Sequence, residues 1–159
     1  MQEILEKLKD NLERQTSLYH KIGDLAERKQ KALLANNLPV IDSITKQEEK
    51  LILDAGTLEE ERLAWAEKMA QVMNKPAEEL TLNELSERFP ELEPVRVALE
   101  QAIGRLKDIH KVNTRLLEQA VEIVNLTLDV LTQPTETTYA KPGKDNTPQK
   151  QVHILDRSI

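Results

Sequence analysis

The sequence predicts an all-α protein: an antiparallel three-helix coiled-coil-like bundle of long helices with a flexible C-terminal tail. Composition is the first observation behind this. Aromatic residues are 3%, glycines number four and charged residues are 31%, while Leu, Ala, Glu and Lys dominate, the mix of long packed helices. The second is a set of apolar residues at alternating spacings of three and four, the heptad seam of a helix packed along its length. The third is the interruption of these stretches at "NNLP" and "NKPAEEL", which carry helix-stopping residues. A chain of 159 residues has the length of one domain, enough to bury a core.

The first helix is expected over about 2–35, its seam formed by Leu5, Leu8, Leu12, Gln15, Tyr19, Ile22, Ala26, Lys29 and Leu33. Asn36 or Asn37 suits the left-handed position that ends a helix, and Pro39 suits the first turn of the next. So short a turn makes the neighbours antiparallel. The second helix, about 40–73, repeats the pattern through Ile41, Ile44, Glu48, Leu51, Ala55, Leu58, Arg62, Trp65, Met69 and Val72, with Gly56 inside it. Thr81 and Glu84 form a capping-box pattern that opens a short helix over 82–88. Pro90 and Pro94 bracket the entry to the last helix, about 91–132, with Leu92, Val95, Leu99, Ala102, Leu106, Ile109, Asn113, Leu116, Ala120, Ile123, Thr127 and Val130 on its seam. At 1.5 Å per residue it reaches about 60 Å, against about 50 Å for each of the others. These residues, 1–132, make the bundle; 133–159 form a tail with three prolines, no periodicity and an apolar piece, "VHILDRSI", too short to fold alone.

Charge and motifs exclude several functions. The net charge is −6, and because residues 133–159 carry four basic and three acidic groups, the bundle is at −7, a surface that repels nucleic acid. The N-terminus has charges in its first turns and no apolar core of a signal peptide, and no apolar stretch approaches a membrane span, so a soluble cytoplasmic protein without stable membrane insertion is expected. Without cysteine there is no disulfide or thiolate chemistry. His20, His110 and His153 follow Ser17, Lys107 and Lys150 by three positions, so the Glu-x-x-His ligand pair of metal-binding bundles is missing, as is a phosphate loop. An enzyme, a metal site and a cofactor are therefore not expected.

Polar residues on the seam, Gln15, Lys29, Glu48, Arg62 and Asn113, read first as devices that fix register by pairing with one another. Arg62 as an anion or partner contact is the sharper alternative. Trp65 follows the heptad phase and reads as core. The run "LEEER", with Glu59, Glu60 and Glu61, reads as a solvated face before a docking surface for a basic partner.

One stretch does not fit a bundle so simply. In "LLEQAVEIVNLTLDVL", residues 116–131, ten of sixteen residues are apolar, and Glu118, Glu122, Asn125 and Asp129 fall on one narrow polar line. A core-facing helix needs an apolar arc of only about 100° or a little more. The surplus is Val121 and Leu128, facing furthest from the seam, with Leu117, Val124 and Leu131 on the shoulder and Leu126 on the other side. If the first and last helices start level, about seven residues of the last project about 10 Å beyond the turn. Exposed apolar surface of this kind marks a protein partner; burial by a fourth segment, or self-association of the chain through the same face, is the alternative.

The order of these features resembles the FlgN-type chaperones of flagellar export. The resemblance rests on "KALLANNLPVIDSITKQEEKLI" across the hairpin turn, "LEEERLAWAEKM", the long last helix with "IHKVNTRLLEQAVEIVNLTLDVL", and a tail with "YAKPG" that runs to "ILDRSI". It implies a cytoplasmic chaperone that binds hook–filament junction (hook-associated) proteins, keeps them unassembled and delivers them to the export apparatus. By the same resemblance the client contact maps onto Leu117, Val121, Val124, Leu126, Leu128 and Leu131, and docking on export-gate components maps onto Tyr139, which here precedes Ala140 instead of Gly.

Overall fold

A computed structural model describes residues 1–132; residues 133–159, and with them Tyr139, lie outside the described part. Helix α1 spans Gln2–Leu34, α2 Leu38–Met73, α3 Leu82–Arg88 and α4 Glu93–Thr132, with single 3₁₀ turns at Ala77–Glu79 and Pro90–Leu92. The helix ends fall within one or two residues of those the sequence predicts, and Gly56 interrupts nothing.

The turn between α1 and α2 is built as its residue types dictate. Asn36 takes the left-handed conformation with φ 51°, which asparagine tolerates better than most residues. Asn37 caps α2, its side chain accepting from the Val40 amide at 3.4 Å, and Pro39 occupies the first turn. A second left-handed asparagine, Asn74 with φ 52°, closes α2. Thr81 caps α3 by accepting from the Glu84 amide at 3.2 Å. The reciprocal half of the capping box is replaced: the Glu84 carboxylate accepts from the Lys75 ammonium at 2.7 and 2.8 Å, tying the α2–α3 connection together.

Helix α1 is the central rod. It packs against both α2 and α4, and this explains why it buries more than one seam. Leu5, Leu8, Leu12, Gln15, Tyr19, Ile22 and Ala26 are buried as predicted, and so are Asn11, Thr16, Leu18, Gly23, Leu25 and Ala32, which widen the buried surface on either side of that seam. One apolar cluster joins the helices through Leu8, Leu12, Leu58, Met69, Leu85, Leu92 and Leu99. In α2 the seam is shallower: Val72 is exposed, and Ala70 is buried in its stead.

Polar contacts fix the register of each pair. Asn11 donates to the Leu58 carbonyl at 3.0 Å, and Gln15 donates to that carbonyl at 3.2 Å and to Asn11 Oδ1 at 3.1 Å. Lys29 and Glu48 pair at 2.9 Å on the same interface. Contacts at 11–58 and 29–48 make α1 and α2 antiparallel. Helix α4 runs parallel to α1: Arg105 reaches Asp24 at 3.1 Å and Glu27 at 2.8 Å, and Asn113 donates to the Ala26 carbonyl at 2.8 Å. Gly23 makes room for this crossing, since a Cβ there would lie 2.9 Å from the Arg105 guanidinium.

Candidate functional site

The Asn113–Ala26 bond sets how far α4 outruns its neighbour. Eight residues beyond Ala26, α1 ends at Leu34, the level of Val121. Helix α4 continues to Thr132, which leaves about eleven residues, or about 16 Å, with no length of α1 beside them. This is longer than the seven residues and 10 Å expected from helix lengths alone. Counted back from the same bond, the start of α4 at Glu93 lies about four residues above the start of α1, because the connection through α3 and the two 3₁₀ turns occupies the base of the bundle.

Burial follows that register. Leu92, Val95, Leu99, Ala102, Leu106 and Asn113 are buried, Leu116 and Ala120 are half-buried, and every described side chain from Val121 onward is exposed. All six apolar residues singled out in the sequence, Leu117, Val121, Val124, Leu126, Leu128 and Leu131, face solvent. Two more do so that sequence reasoning assigned to a covered seam, Ile123 at 64% and Val130 at 76% exposure. The heptad pattern runs on through them, and nothing in the pattern marks where the covering helix stops.

The burial pattern keeps the heptad seam as the core-facing line. Where α1 still runs alongside, the seam residues Leu116 and Ala120 are half-buried whereas Leu117 is 49% exposed, so Leu117 stands on the shoulder of the covered face. Beyond Val121 the seam continues through Ile123 and Val130 with no length of α1 beside it. Between Leu116 and Thr132 the only charges are Glu118, Glu122 and Asp129, on the opposite side of the helix.

The remaining candidates resolve into structural roles. Arg62 donates to both Glu59 oxygens at 2.8 and 2.7 Å, and that carboxylate holds its guanidinium firmly charged; burial pushes the Tyr19 hydroxyl beside them up from its ordinary value. Glu61 pairs with Arg14 at 3.1 Å and accepts from Asn11 at 3.2 Å. Two of the three glutamates of "LEEER" thus serve the bundle. Trp65 is half-buried against the core, with the Lys68 ammonium 4.1 Å from its ring centroid. Among the described residues no group of three or more His, Asp or Glu is placed to hold a metal ion, and no helix is long and apolar enough to cross a membrane.

Three long helices, the last carrying an exposed apolar overhang at one end, define an all-α bundle protein. The FlgN protein family model matches residues 1–147, and the chain belongs to this family of flagellar export chaperones. It is 25% identical over 143 residues to the uncharacterized protein YvyG of Bacillus subtilis (strain 168), a match that covers 88% of this chain and 89% of that one. No solved structure matches the chain significantly.

Proposed function

We propose that this chain is a cytoplasmic chaperone that binds a hook–filament junction protein through the end of α4, keeps it unassembled and delivers it to the export apparatus. The observation that carries the reading is the apolar surface of α4, Val121, Ile123, Val124, Leu128 and Val130 among it, that stays exposed where the heptad seam runs on past the end of α1. A helix laid where α1 would continue meets a surface already patterned for helix packing, the helix-in-groove mode of recognition. Burying four aliphatic side chains contributes roughly 6–10 kcal/mol gross, and ordering a disordered client takes back several. The balance is tight but reversible binding, which suits a carrier that must release.

Val124→Asp tests this. It places an unpaired carboxylate within the exposed surface, and client affinity, measured by calorimetry with the terminal segment of a junction protein, falls at least tenfold while the bundle melts as before. An unchanged affinity sinks the reading, and a stable oligomer indifferent to added client supports self-association through this face instead. Delivery is a separate activity, which the resemblance assigns to Tyr139 in the tail. Tyr139→Ala leaves client affinity intact and lowers secretion; parallel loss of both would contradict that division.

A further inference from the structure

The exposed surface of α4 has a second candidate occupant within the same molecule. Residues 148–159 extend past the family match, which ends at 147, and they restore apolar character after a polar stretch: Val152, Ile154, Leu155 and Ile159. Set on a helix, Val152, Leu155 and Ile159 have the spacing of one face. Eight residues make a helix of about 12 Å, shorter than the overhang of about 16 Å.

The connecting length suits the distance. From Thr132 back to the start of the overhang at Glu122 is about 15 Å along α4, within the r.m.s. end-to-end distance of about 24 Å that a flexible linker of nineteen residues, the length of 133–151, would have. A tether that spans the distance between sites gives an effective concentration in the millimolar range. Charge agrees in sign: residues 116–132 carry three acidic groups and no basic one, whereas Lys150 and Arg157 accompany the apolar segment against Asp156 alone. Leu34, the last residue of α1, is also left 68% exposed, and it lies on the α4 side of α1, about three turns past Gly23 and five past Thr16 on the same line. A short helix in this step would stack on the end of α1 and cover Leu34 together with Val124 and Leu131.

We propose that residues 152–159 dock on the overhang of α4 as an intramolecular placeholder, which an incoming client helix displaces. The inference rests on the client reading of that surface for its biological sense, and on the geometry alone for the contact. A placeholder of two turns is weaker than a client of several. It shields the apolar surface when no client is present and sets a threshold for capture.

The chain has no cysteine, so a nitroxide attached at Ser158→Cys in the full-length protein is unique. Amide signals of residues 117–131 are expected to broaden selectively, those around Leu53 of α2 to stay sharp, and Leu155→Asp to abolish the effect. Absent or uniform broadening overturns the proposal. So does broadening seen only between molecules, in a mixture of labelled and isotopically marked chains, which would make a second copy the occupant. A junction-protein terminal peptide, titrated into the Leu155→Asp chain, should bind about three- to tenfold more tightly than to the natural chain, as expected when a tethered competitor of comparable effective concentration is removed. Equal binding without selective broadening sinks the placeholder and leaves the chaperone reading intact. Selective broadening with no peptide binding keeps the docked segment and removes the client from this surface.

Discussion

In α4, Leu99, Leu106 and Asn113 share one heptad seam with Ile123 and Val130, yet the first three are buried and the last two face solvent. Residue type does not separate the two halves: the exposed half is, if anything, the more apolar. The difference is the length of α1, whose last residue stands level with Val121 by the register that Asn113 and Ala26 fix. Amphipathicity therefore specifies that a helix will be covered, and the length of its partner specifies by what. Where the partner is shorter, the same pattern that makes a core leaves an exposed apolar surface.

The comparison is broken most directly by truncating one leucine in each half. Leu99 is 0% exposed, and Leu99→Ala is expected to cost about 2–5 kcal/mol in transfer and cavity terms. Leu117→Ala, five turns on, is expected to change stability by no more than about 0.5 kcal/mol while weakening client binding. Urea denaturation followed by circular dichroism reads both. Similar losses from the two would mean that the overhang is already packed inside the folded chain.

A change of opposite sign sharpens the boundary between the halves. Asn113 is buried; its amide nitrogen donates to the Ala26 carbonyl, whereas its Oδ1 has no partner among the described residues. Leaving a buried acceptor unsatisfied costs roughly 1–3 kcal/mol, and a polar residue at a seam position trades stability for a fixed register. Asn113→Leu is thus expected to raise stability by about 1 kcal/mol and to loosen the register that determines the overhang. A higher urea midpoint with exchange-broadened amide signals over 117–131 is the expected result. A lower midpoint would show that the donated bond outweighs the orphaned oxygen.

How much of this was legible in the sequence depends on whether a feature is local. Helix ends were, because Asn36, Asn37, Pro39, Thr81 and Pro94 act on their own neighbours, and the structure places them at the turn and first-turn positions their chemistry favours. The first seam of α1 was legible for the same reason. Its flanks were not: Asn11 and Leu18 are buried on the side that meets α2 and Gly23 on the side that meets α4, because α1 stands between the two, a property of the assembly and not of any heptad. At the candidate site the apolar surplus could be read, and so could six of its residues. Ile123 and Val130 were missed since the seam gives no signal for the point where its cover ends. The paired glutamates at 59 and 61 show the reverse error, where a run that looks like a solvated face is partly held by Arg62 and Arg14.

The smallest expected effect lies at the opposite end of α4, where entry into the core is set by charge. Glu93 accepts from the Arg96 guanidinium at 2.9 and 2.6 Å, and Arg96 also reaches Glu100 at 2.7 Å. The bonds from Arg96, followed by one from Ser86 of α3, lower the Glu93 carboxyl from 4.5 to about 2. A carboxyl depressed in the folded state favours folding once it is ionised in both states, above about 4.5, and that contribution disappears as pH falls from there through about 2. The site is open to solvent, so the effect on stability is small and weakens further with salt. It is better read from the group itself: carboxyl carbon shifts followed by NMR should give Glu93 a midpoint near 2, and Arg96→Ala should return it toward 4.5. A midpoint near 4.5 in the natural chain would mean that the Arg96 pair does not hold in solution. The register of α4 on α1 would be unaffected, because these pairs lie within α4 and that register is held by Asn113, Arg105 and the packed leucines.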